Sequence, residues 1–211
     1  MPLLKSANRY LVMADLDILL REYAQFEANV REAMTGMCAG HCRVCARVCC
    51  REELCRETVE SPFLGLLRRQ FSPPVTYSSE KGWLTQTGCA LSVGRAPVCY
   101  HFLCSNILAS QLSPNDCYML EVLAALINHI GKFALGRRHL VEIMNADDLY
   151  RVKRSSFEAK LSEARAALNV ILDYFNHGFL DDGRIAKLSR IQPLPSSRII
   201  SEVIEPKSNR I

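Results

Sequence analysis

Six of the chain's ten cysteines lie between positions 38 and 55, and nine lie between 38 and 104. Thiols this crowded must be accommodated together: by disulfides, by a metal, or by a helix face that uses them as small hydrophobes. Disulfides need an oxidising compartment. The stretch MPLLKSANRYLVMADLDILL places Lys5, Arg9, Asp15 and Asp17 where a secretory signal has its apolar core. The most apolar stretch, Tyr118 to Leu135, carries Glu121, Asn128, His129 and Lys132, too many polar groups for a bilayer span. The expectation is a cytoplasmic chain with no membrane partner, whose thiols are kept reduced.

Under reducing conditions the spacing favours metal. The first group reads Cys42-x2-Cys45-x3-Cys49-Cys50-x4-Cys55, with Cys38 just ahead; the second is Cys89, then Cys99-x4-Cys104. A two-residue gap lets two thiolates reach one ion from a tight turn, as in zinc and iron–sulfur sites. The adjacent pair Cys49-Cys50 points two side chains apart and suits two ions, or two atoms of one cluster. Cys38, Cys42, Cys45 and Cys49 also fall at i, i+4, i+7 and i+11, one face of a helix, which would be the packing alternative. Arg43, Arg47, Arg51 and Arg56 thread the same segment. They stabilise thiolates and would add nothing to an apolar face.

The metal ligands assigned on this basis are Cys42, Cys45, Cys49, Cys50, Cys55, Cys89, Cys99 and Cys104. Eight thiolates suit two four-coordinate ions, two clusters, or one cluster with spare redox cysteines. Cys38 is a substitute ligand, His41 and His101 could each replace a thiolate, and Cys117 reads as core packing. Ligand type leaves zinc and iron both open. The stretches CRVCARVCC at 42–50 and GCALSVGRAPVC at 88–99 resemble the zinc- or iron-chelating cysteine-cluster family of YkgJ type, over about residues 38–104. That family pairs an early CxxCGxCC-like motif with a later cysteine and an Arg-Pro-x-x-Cys motif. Here three residues, Ala46-Arg47-Val48, stand where the family has two, and Ala96 separates Arg95 from Pro97. The resemblance implies metal chelation and no particular reaction.

The rest of the chain reads as mainly α, a helical scaffold with an irregular cysteine-rich metal-binding segment inserted between helices. Residues 1–36 form an N-terminal element packing on the core, with a helix over 10–36. Leu16, Leu19, Leu20, Tyr23, Phe26, Val30 and Met34 make its stripe, Glu22, Glu27, Arg31 and Glu32 fall on other faces, and Gly36 is its stop. Residues 37–110 form the metal-binding segment, irregular over 61–98 because of its Pro and Gly content. Residues 111–178 are helical. Ser113-Pro114 starts a two-faced buried helix to about 135, and a capping box of Ser155 and Glu158 starts another, closed by Gly178. Residues 179–211 read as an extended or partly disordered tail.

The net charge of +4 comes without a dense basic stripe, so no nucleic-acid partner is expected. No P-loop, dinucleotide fingerprint, HExxH or GxSxG occurs, and no catalytic residue is assigned. Asp147-Asp148 and Asp181-Asp182 read as caps or turns. The functional expectation is a cytoplasmic chelator of zinc or an iron–sulfur cluster. The alternatives are an iron–sulfur electron-transfer protein, or a helical adaptor with a structural metal and a protein partner.

Overall fold

The computed structural model describes residues 2–42, 52–85 and 88–194, with side chains described over 14–40, 53–85 and 88–194. Helix α1 (Pro2–Cys42) carries the expected stripe, and Leu16, Leu19, Leu20, Tyr23, Phe26 and Val30 are all buried. It does not stop at Gly36. An interior glycine costs about 1 kcal/mol relative to alanine. Each buried large apolar side chain contributes about 1.5–3 kcal/mol, and the apolar stripe continues through Met34 and Met37 to the buried Cys38. The helix therefore runs through Gly36 and Gly40 into the first cysteine group.

The stretch over 61–98, expected to be irregular, is in part helical. Helix α2 (Glu52–Glu60) is followed at once by α3 (Pro62–Phe71). Ser61 caps α3, its Oγ accepting from the Leu64 N–H, and Pro62 takes the first helical position, where its missing N–H costs nothing. Phe63, Leu64 and Leu67 then face the core, and Phe63 meets Tyr23 of α1 edge to face. The irregular part shrinks to 73–97. It holds a two-residue hairpin, β1 (Leu84–Thr85) with β2 (Gly88–Cys89), in which Leu84 pairs with Cys89 and Thr85 with Gly88. Two short helices follow, α4 (Val98–His101) and α5 (Ser105–Ala109).

Helix α6 (Pro114–Gly131) is the central element, packed by α1, α4 and α7 (Arg154–His177). Ser113 Oγ accepts from the Asp116 N–H, as the Ser-Pro start requires. The helix ends at Gly131, not near 135: Lys132 turns to an extended backbone and Phe133 to a left-handed one, and the His139 ring packs where a Cβ at Gly131 would stand. Phe133, inside the stretch expected to be buried helix, turns out at a left-handed φ of 55° and is 63% exposed, under the Lys160 ammonium. His139 and Asn145 cap two 3-10 turns, Leu140–Glu142 and Ala146–Arg151, the second holding Asp147-Asp148 in its first turn.

Helix α7 begins at Arg154, so Ser155 caps nothing; Glu158 instead pairs with Arg154, which also reaches Asp15 of α1. Gly178, at φ 73°, closes the helix as expected. The segment expected as a tail contains helix α8 (Asp182–Ser189), capped by Asp181. Leu188 and Ile191 enter the core, and the Tyr118 hydroxyl donates to the Gln192 carbonyl. Among the described residues no helix is long and apolar enough to cross a membrane.

Candidate functional site

The segment between the two halves of the second cysteine group is folded around a carboxylate from α1. Glu27 is fully buried. Its Oε2 accepts from the Gly94 N–H at 2.8 Å, and its Oε1 accepts from the Arg95 N–H at 2.9 Å and the Tyr100 hydroxyl at 2.8 Å. Burial pushes this carboxyl above its usual range, while those hydrogen bonds and the Arg95 charge pull it back. Burial, then the Glu27 charge, raise the Tyr100 phenol well above 10. The Arg95 guanidinium turns back along the chain, donating to the Leu91 carbonyl at 2.8 and 3.0 Å and, at 3.5 Å, to that of Cys89. Gly94 (φ 80°) lies directly on α3, where a Cβ would stand 2.9 Å from Arg68 Cγ and 3.2 Å from the Leu64 carbonyl oxygen. Sequence reading placed Glu27 on a polar face. The signal for its burial was its spacing from Tyr23 and Val30, which puts it on the apolar stripe.

Two groups of thiols stand on either side of this turn. Cys55 of α2 is buried with Trp83 and Leu91, and Cys89 and Tyr77 pack against them. The Trp83 indole N–H donates to Thr58 Oγ1 at 2.6 Å, and that hydroxyl donates to the Cys55 carbonyl. The Arg68 guanidinium covers the indole face at 4.9 Å. Trp83 is therefore a core anchor that ties α2 to the hairpin and the Cys89 strand. On the other side, Cys38, Cys99 and Cys104 line one cavity of about 400 Å³, together with Arg31 and Arg95. Cys99 is exposed on α4, and Cys104 is half-buried at the start of α5.

Of the assigned ligands, Cys55 and Cys89 thus share one cluster, and Cys99 and Cys104 share a cavity with Cys38, the substitute. Cys42 ends α1 but its side chain, like that of His41, lies outside the described residues, as do Cys45, Cys49 and Cys50. His101 is exposed on α4. Cys117 Sγ meets the Leu108 carbonyl at 3.5 Å, a packing contact between α6 and α5. His129 pairs with Glu163, His177 pairs with Asp173, and His139 caps a turn. Among the described residues no three His, Cys, Asp or Glu side chains close on a point that would hold an ion. The cavity brings three thiols beside two cationic side chains, within a lining that is otherwise largely apolar. The 42–50 stretch joins the helix carrying Cys38 to the helix carrying Cys55.

No family model, curated protein or solved structure matches the chain.

Proposed function

We propose that this is a cytoplasmic metal-binding protein that chelates zinc or an iron–sulfur cluster through its clustered cysteine thiolates. The observation that carries the reading is the shared cavity of Cys38, Cys99 and Cys104 with Arg31 and Arg95. Residues some sixty positions apart bring soft donors to one place, and the cations there offset thiolate charge. Cys42, Cys45, Cys49 and Cys50 would supply the remaining donors, and Cys55 with Cys89 the second pair beside Trp83. The bound metal would supply cross-links between the first and second cysteine groups. The resemblance of 38–104 to the cysteine-cluster family of YkgJ type supports the same chemistry.

Elemental analysis of protein purified anaerobically in reductant tests the reading. One to two zinc ions per chain in a colourless sample, or iron with sulfide in a brown sample bleached by dithionite, is the expected result. Absence of both metals overturns it.

A further inference from the structure

A buried carboxylate is a costly choice for a helix stripe that an apolar residue would fill at no desolvation penalty. Every group that compensates Glu27 comes from one short stretch: the Gly94 N–H, the Arg95 N–H and the Tyr100 hydroxyl. That stretch contains Cys99 and follows Cys89 by five residues. We propose that Glu27 is the positioning residue of the cysteine site, holding the 94–100 turn on α1 so that Cys99 faces the Cys38 cavity while Arg95 grips the Cys89 strand. The inference rests on the metal-binding reading above.

The geometry of α1 supports it. Glu27 and Cys38 are eleven residues apart, three helical turns, and so lie on one face about 16 Å apart along the axis. Arg31 lies between them and lines the same cavity as Cys38. One rigid helix therefore carries the anchor of the second cysteine group and a thiol of the first. From Glu27 the hold passes in two directions. Through the Tyr100 hydroxyl it fixes the residue next to Cys99. Through the Arg95 backbone it fixes a side chain bonded to the Leu91 and Cys89 carbonyls. Glu27 touches none of the cysteines assigned as ligands, so its effect on metal is transmitted wholly by this turn. Groups hydrogen-bonded directly to a metal ligand are commonly worth about 10- to 100-fold in affinity, and Glu27, one step further out, falls at the lower end of that range.

Glu27→Gln keeps the size of the side chain. Its carbonyl can still accept from Arg95 and Tyr100, but its NH2 faces the Gly94 N–H, donor against donor. The full chain, reduced and metal-free, is titrated with cobalt(II), whose thiolate charge-transfer bands report affinity and ligand geometry. Glu27→Gln is expected to bind cobalt about 10-fold more weakly, with altered bands and faster hydrogen exchange at the Gly94 and Arg95 amides. Tyr100→Phe, which removes one donor and no charge, is expected to show a smaller loss. Ile171→Val, a core change on α7, is expected to bind as wild type. Wild-type affinity and bands in both Glu27→Gln and Tyr100→Phe overturn the positioning role and leave the metal reading standing. A wild-type chain without thiolate charge-transfer bands overturns both. If Glu27→Gln does not fold, Tyr100→Phe decides: unchanged cobalt binding overturns the role.

Discussion

Two glycines at opposite ends of the cysteine scaffold should respond to alanine with opposite signs. Gly94 sits at φ 80°, and an alanine Cβ there would meet Arg68 Cγ at 2.9 Å, the Leu64 carbonyl oxygen at 3.2 Å and the Arg68 nitrogen at 3.3 Å. The left-handed backbone costs an alanine about 1–2 kcal/mol. Two of the three near atoms are helix backbone that cannot step aside, and overpacking of that kind adds about 1–3 kcal/mol. The expected loss is about 2–5 kcal/mol, or roughly 4–20 °C in Tm for a chain of this size. Gly36 lies inside α1, six residues before its last residue Cys42, with nothing within 4 Å of an added Cβ. Alanine there should stabilise by about 1 kcal/mol, raising Tm by about 2–4 °C. Calorimetry on the reduced protein measures both. Gly94→Ala melting at or above wild type, or both variants shifting in the same direction, would refute the close approach of the turn to α3. Because the Gly94 N–H donates to Glu27, Gly94→Ala should also weaken metal binding, whereas Gly36→Ala should not.

Three further outcomes are expected. His139 accepts the Val141 N–H on Nδ1 and so donates from Nε2 to the Asn128 carbonyl, a neutral ring held below its usual pKa by burial. Its unfolded form takes up a proton first on acidification, so stability present above 6.5 should decline as pH falls below that value, and His139→Asn should flatten this part of a Tm-versus-pH profile. Thr58→Val leaves the buried Trp83 N–H without its acceptor and should cost about 1–3 kcal/mol in urea unfolding, while Thr58→Ser stays near wild type. Cys49→Ser combined with Cys99→Ser should abolish metal content and speed proteolysis within the exposed 73–81 stretch, with α3 uncut and Cys117→Ser neutral on both counts; unchanged metal by mass spectrometry would exclude the two-group site.

The long helices were legible because their apolar residues recur at helical spacing and their ends carry simple chemistry: Ser113-Pro114 and Gly178 acted as read. The same Ser-Pro signal at 61–62 starts α3, but the prolines and glycines around it mask it, and Phe63, Leu64 and Leu67 span too few turns to show a helical period. Gly36 misled in the other direction, since a stop signal is overridden when core anchors continue beyond it. Ser155 failed as a cap because Arg154, one residue earlier, already had Glu158 and Asp15 as partners. The grouping of the cysteines into one pair and one set of three was not legible at all. Cys55 with Cys89, and Cys38 with Cys99 and Cys104, are set by long-range packing on Trp83 and on Glu27, and cysteine spacing holds no information about either.

That packing also bears on the metal-binding reading proposed above. A small cysteine-rich domain without a core depends on its ion to fold. In this chain the turn that carries Cys99 is already held by three hydrogen bonds to Glu27, and the strand that carries Cys89 by the Trp83 cluster and by Arg95. Helices α1, α3, α6 and α7 share one continuous apolar core that contains none of the second-group thiols among its fully buried members. Cys38, Cys99 and Cys104 are therefore placed around their cavity by the protein's own packing and hydrogen bonds. On the metal-binding reading proposed above, a site held in this way would gain and lose its ion with the helical core intact, the behaviour of a chelator or carrier rather than of a structural zinc module.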